Sequence, residues 1–152
     1  MYAYVDRPVE SLCNGGRFLL WAMRGWVAAA ERRECPPQAL HRGFAAVNAR
    51  AVLPDFHVAM AMLASDGREC LTLAPMPCAR ITEDEAVLMT LWRDAAVGDP
   101  AALRATLALL VEVDGVAPIA NAVVGAAKGL AAAGFDLSPL SSPPSKKHQE
   151  SK

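Results

Sequence analysis

The sequence predicts an all-α fold, a compact bundle of about six helices followed by a disordered C-terminal tail, and three observations predict it. Apolar residues make up 53% of the chain and aromatics only 6%, so alanine, leucine and valine supply the bulk, and few segments hold enough Val, Ile, Thr and Tyr to read as strands. Apolar residues recur at spacings of three and four along most of the first 133 positions. Helix start and stop signals punctuate the chain at regular intervals. At 152 residues the chain is one domain long and can bury roughly two thirds of its unfolded surface without cross-links.

The elements follow in order. Asp6 and Pro8 open a first helix that runs to Glu34, where Cys35-Pro36-Pro37 stops it. Val9, Leu12, Gly16, Leu19, Met23, Trp26 and Ala30 hold one face in phase across Gly15-Gly16, although the glycine pair leaves open a break into two helices. Pro37 opens a second helix to Arg50, with Leu40, Phe44, Val47 and Ala51 inward. A third runs from Pro54 to Ser65, with Phe56, Ala59, Met60 and Leu63 inward and Gly67 as a left-handed stop. Residues 68–80 contain Pro75 and Pro77 and read as an extended loop. Ile81-Thr82-Glu83-Asp84-Glu85 is a capping box, in which Thr82 and Glu85 satisfy each other's free amides, and the helix it opens ends at Gly98. Asp99-Pro100 starts a fifth helix that stops at Asp114-Gly115, and Pro118 starts a sixth that runs to Ala133 and closes at Gly134. Residues 1–137 therefore form one helical domain. From Ser138 the composition turns to Ser, Pro and Lys, with too little apolar surface to offset the entropy of ordering, so 138–152 is expected to be disordered.

Composition also narrows function. A net charge of -1 argues against a nucleic-acid binder with a broad basic face, since phosphate neutralisation supplies most of that affinity. The longest uncharged stretch, from Gly115 to Ala127, falls short of the roughly 18 to 20 residues that span a bilayer. Met1 to Arg7 lacks a basic patch leading into an apolar run, which predicts cytoplasmic residence, with the four cysteines kept as thiols. No phosphate-binding glycine loop, nucleophile elbow or zinc-protease helix is present, so no catalytic residue is assigned. The acidic run Glu83 to Glu85 sits where negative charge meets a helix amino terminus favourably, and His57 reads as a rim or hydrogen-bonded core histidine.

Two constellations remain. Arg17, Trp21 and Arg24 share a narrow strip of the first helix opposite Leu19, Met23 and Trp26, and guanidinium with indole is the chemistry of protein-binding hot spots. The bland reading is a solvated arginine face over a packed Trp21. Small residues at Gly15, Ala22 and Ala29, and at Ala122, Gly125, Ala126, Gly129 and Ala133, predict close helix packing within the monomer or a homodimer seam. The second constellation is a metal or thiol-redox site of Cys35, His41, Cys70 and Cys78, which would take zinc or iron. It needs Pro54 to reverse the chain, whereas Cys13 lies too far along the first helix to join. Otherwise no cofactor is expected. The leading expectation is a non-enzymatic protein that works through an unknown protein partner or a second copy of itself, with the metal site and reversible attachment to a membrane surface through the first helix as alternatives.

The stretch Arg7-Pro8-Val9-Glu10-Ser11-Leu12-Cys13-Asn14-Gly15-Gly16-Arg17-Phe18-Leu19-Leu20-Trp21-Ala22-Met23-Arg24-Gly25-Trp26 resembles the opening of a family of short bacterial proteins known only as a domain of unknown function. The resemblance implies a bacterial cytoplasmic protein and carries no activity or site. Eleven arginines against four lysines fit a GC-rich coding source.

Overall fold

Asn14–Glu31 (α1), Pro36–Ala46 (α2), Leu53–Asp66 (α3), Glu83–Val97 (α4), Pro100–Leu110 (α5) and Val113–Ala132 (α6) are the six helices of the computed structural model, which describes residues 4–68 and 72–137. No strand occurs among them. The expected tail at 138–152 lies outside the described residues.

The first helix begins at Asn14, not at Asp6. The preceding residues pair with a distant segment: Asp6 N–H donates to the Ile81 carbonyl (2.9 Å), Val9 N–H to that of Ala79 (2.8 Å), and Ile81 N–H to that of Arg7 (3.0 Å). With those amides occupied, only a 3₁₀ turn forms at Val9–Ser11 before the chain extends again at Leu12. Cys13 caps α1, its sulfur accepting from Gly16 N–H at 3.4 Å. The glycine pair therefore sits in the first turn and breaks nothing, and a Cβ on Gly15 would press to 2.8 Å from the Asp136 carbonyl oxygen.

Four helices close the same way, with a left-handed residue after the last turn and a 6→1 hydrogen bond back into it. Gly98 (φ 75°) ends α4 and Gly134 (φ 98°) ends α6, as their sequence signals indicated, but Arg33 (φ 60°) and Asn48 (φ 59°) take that role after α1 and α2. Glu34 N–H reaches Ala29, Ala49 N–H reaches Phe44, Asp99 N–H reaches Asp94, and Phe135 N–H reaches Leu130. Gly67 departs from its expected left-handed stop, with φ −66° and ψ 140°. It pairs instead with Val111 in an isolated antiparallel bridge, and Arg68 N–H donates to Leu110. The same bridge ends α5 at Leu110 by extending Val111, so α6 starts at Val113, with Asp114-Gly115 in its first turn and Pro118 inside it.

The core is built around α4, whose buried residues occupy most of its circumference, as expected of a helix enclosed on all sides. α6 packs against α3, α4 and α5. Its small residues are used within the molecule: a Cβ on Gly125 would sit 2.8 Å from Asp55 Oδ2, and one on Gly129 would sit 2.8 Å from Val52. A chain of rings crosses the bundle, from Phe135 to Phe18 (4.9 Å), Phe44 (5.0 Å), Phe56 (5.6 Å) and Trp92 (5.6 Å).

Candidate functional site

Arg24 lies at the centre of the most elaborate polar cluster among the described residues, only 3% exposed, with Glu85 at 0%. α1 delivers the guanidinium and the capping turn of α4 delivers the carboxylate. Nε donates to Glu85 Oε2 (2.7 Å), one terminal nitrogen to the carbonyls of Met76 (3.3 Å) and Cys78 (2.8 Å), and the other to the Arg80 carbonyl (2.9 Å) and Glu85 Oε1 (3.0 Å). All five donors of a guanidinium are thus used. Glu85 also accepts from the amides of Thr82 (2.9 Å) and Ala74 (2.9 Å), which completes the capping box and fills its lone pairs. Burial pushes the Glu85 carboxyl up, but the Arg24 hydrogen bonds, the two amides and the Arg24 charge outweigh it and hold the group below the ordinary value of 4.5. Asp84 adds a hydrogen bond from Thr72 N–H at 2.7 Å. The acidic run thus tethers the 72–81 segment as well as capping its helix. No donor or acceptor is left over for a substrate, so the cluster is a clasp between α1, α4 and the 72–81 segment.

This placement corrects the expected strip on α1. Arg17 is exposed and donates to Asn14 Oδ1 at 2.9 Å, whereas Arg24 points into the molecule. Trp21 is half-buried against α2, where a Cβ on Gly43 would overlap its indole ring. α1 lacks an open Arg-Trp-Arg face because α2 covers one flank and the 72–81 segment the other. His57 is half-buried and accepts from Trp26 Nε1 at 3.0 Å, the hydrogen-bonded role anticipated for it.

The three thiols among the described residues are dispersed. Cys13 caps α1, Cys35 is exposed at the start of α2, and Cys78 is half-buried with its sulfur 3.4 Å from the Arg80 carbonyl. His41 is exposed on α2. Cys35, His41 and Cys78 do not form a group, and no three His, Cys, Asp or Glu side chains among the described residues are arranged to hold a metal ion. Cys70 lies outside the described residues.

Two surface features were missed by sequence reasoning. A depression of about 340 Å³ is lined by Pro37, Gln38, His41, Arg42 and Leu53, and another of about 620 Å³ by Ala45, Asn48, Arg50 and Ala51. The available signal was the absence of any Asp or Glu from Cys35 to Pro54. The second feature is the outward side of α5, where Ala101, Ala105, Ala108 and Leu109 are exposed beside a single charge, Arg104. α6 is long and apolar enough by length and composition to cross a membrane, yet Asp114 and Lys128 interrupt it and eight of its residues, Ala126 and Val123 among them, are buried in the bundle. No protein-family model matches the chain, and neither curated proteins nor solved structures provide a match.

Proposed function

We propose that this chain is a helical interaction protein whose partner is protein, in the simplest case a second copy of itself, and that it docks through the outward side of α5. The chemistry of that side carries the reading. Leu109 is 64% exposed, and a solvated helix face would ordinarily carry several charges. A formal net charge of -1 leaves little long-range repulsion between copies. The saturated Arg24–Glu85 clasp adds support from the other direction, since the best-built polar cluster has no capacity for chemistry.

An α-helix of this length is only about 16 Å long, and such a face falls short of the roughly 800 Å² per partner of a standard interface. Association is therefore weak and concentration-dependent. Light scattering during size-exclusion chromatography, from about 10 µM to about 1 mM, should give a mass that climbs toward the dimer in the wild type and stays monomeric in Leu109→Glu, the range being that of weak contacts. A wild type that stays monomeric throughout removes the self-association reading.

The Arg17 and Trp21 positions contribute less to this reading than the sequence suggested, because Trp21 is engaged with α2. A zinc or iron site at Cys35, His41, Cys70 and Cys78, and membrane attachment through α1, gain no supporting observation. The resemblance of Arg7 to Trp26 to short bacterial proteins adds a bacterial, cytoplasmic setting to the proposal and no activity.

A further inference from the structure

We propose that His57 and Trp26 form an acid-released latch between α1 and α3, closed while the imidazole is neutral and open once it takes up a proton. Trp26 Nε1–H donates to His57 Nδ1 at 3.0 Å across 31 positions of sequence, and the two rings lie 5.9 Å apart at 40°. An indole nitrogen can only donate, so the Nδ1 lone pair must accept and the proton of the neutral imidazole must sit on Nε2. A second proton has nowhere to go but Nδ1. The imidazolium then turns an N–H toward an N–H, and the bond is lost.

Burial decides which side gives way. Trp26 is 7% exposed, whereas His57 is half-buried and has water within reach of its charge. The imidazolium turns toward that water and leaves the indole N–H without its acceptor at the α1–α3 seam, where an unmade hydrogen bond is costly. The contribution of the bond is therefore present at high pH and lost as the ring is protonated. Imidazole is the side chain whose charge ordinarily changes between about pH 5 and pH 8.

The charges on the elements packed against α3 do not offer the imidazolium a replacement. On α1, Arg17 is bonded to Asn14 and Arg24 is saturated by Glu85, which leaves Glu31. On α2, His41 and Arg42 line a depression together with Leu53. Arg50 stands in the turn before α3, and α6 carries Asp114 and Lys128. On α3 itself Asp55 and Asp66 lie against Gly125 and Gly115 of α6. Among the described residues none of these forms an ion pair with His57.

Heteronuclear spectra of the full chain labelled with ¹⁵N, recorded from about pH 8 to about pH 5, follow the indole N–H groups and the imidazole rings together. The Trp26 indole proton should move upfield with the midpoint at which His57 titrates. In His57→Asn, Oδ1 takes the place of Nδ1 and accepts at every pH in this range, so the Trp26 signal should stay fixed. Trp26→Phe keeps an aromatic ring and removes the donor. In both variants the melting temperature should fall less across this range than in the wild type, and His41→Asn should leave the wild-type response intact. A His57 that stays neutral throughout, a Trp26 signal that ignores its protonation, a response that survives in His57→Asn, or an equal fall in melting temperature in the wild type and both latch variants would each overturn the proposal.

Discussion

Arg24 and Glu85 hold each other in an environment where neither could stand alone, and this sets the most direct test at the scale of single residues. Breaking a buried pair by removing one partner costs about 3 to 5 kcal/mol, because the survivor keeps a charge without compensation. Arg24→Ala should therefore unfold at a much lower urea concentration than the wild type, and Glu85→Gln should lose nearly as much, since the amide cannot accept from both guanidinium nitrogens and two backbone amides at once. The pH dependence has a definite sign. The folded Glu85 carboxyl titrates below its unfolded value of 4.5, so its contribution is complete above pH 4.5 and is lost as pH falls through the folded value. Urea midpoints against pH should fall on the acid side in the wild type and be flatter there in Glu85→Gln. Asp94 behaves in the opposite sense. Burial raises its carboxyl above 3.8, Arg93 lowers it in part, and the charge of Asp99 raises it again. A raised folded value favours the folded state below pH 3.8 and turns into a penalty as pH rises through it. Asp94→Asn should thus raise the melting temperature at pH 7 and lose that advantage at pH 3; a lower melting temperature at pH 7 would mean that the 3.7 Å Arg93 contact outweighs burial.

At the scale of elements, the helix ends divide into those written locally and those imposed from a distance. Thr82 with Glu85, Asp99 with Pro100, Gly98 and Gly134 each satisfy or release backbone groups within a few residues, so sequence alone located them. The starts of α1 and α6 depend on bridges between remote segments, Pro8 with Arg80 and Gly67 with Val111, and periodicity holds no record of such pairing. Asp6 and Asp114-Gly115 misled for that reason. The left-handed residues closing α1 and α4 make a matched pair for experiment. Arg33 holds φ 60° with a side chain that disfavours it, while Gly98 holds φ 75° with open space around it. Moving an ordinary residue into this region costs roughly 1 kcal/mol. Arg33→Gly should accordingly stabilise the protein by up to about 1 kcal/mol, less whatever the more flexible unfolded chain takes back, and Gly98→Ala should destabilise it by about the same amount. Equal melting temperatures for both variants would show that α1 and α4 fray at these ends in the native state.

For the whole molecule, the class and the apolar faces were legible because they repeat along the chain, while the candidate sites were not, because they are made by juxtaposition. The strip Arg17, Trp21 and Arg24 is a true helical line, yet a line on an isolated helix says nothing about what covers it. Glu85 stands 61 positions from Arg24, and only the fold joins them. The depressions beside α2 left one readable trace, the missing carboxylates between Cys35 and Pro54. The same juxtaposition governs how the bundle unfolds. Phe135, Phe18, Phe44, Phe56 and Trp92 place rings from the end of α6, α1, α2, α3 and α4 in one continuous run, while Trp21 touches it through Phe18 at 5.6 Å and Trp26 reaches α3 through His57. None of α1 to α4 can leave without stripping rings from its neighbours, and α6 packs against α3, α4 and α5, so the described bundle should unfold as one cooperative unit. Incorporation of 5-fluorotryptophan gives each of the three tryptophans its own fluorine resonance without altering a contact. All three native signals should disappear at a single urea midpoint that coincides with loss of helical circular dichroism. An earlier midpoint for Trp21 alone would instead mark α2 and its flank of α1 as a separately opening unit, and would place the depressions beside α2 on the less stable side of the molecule.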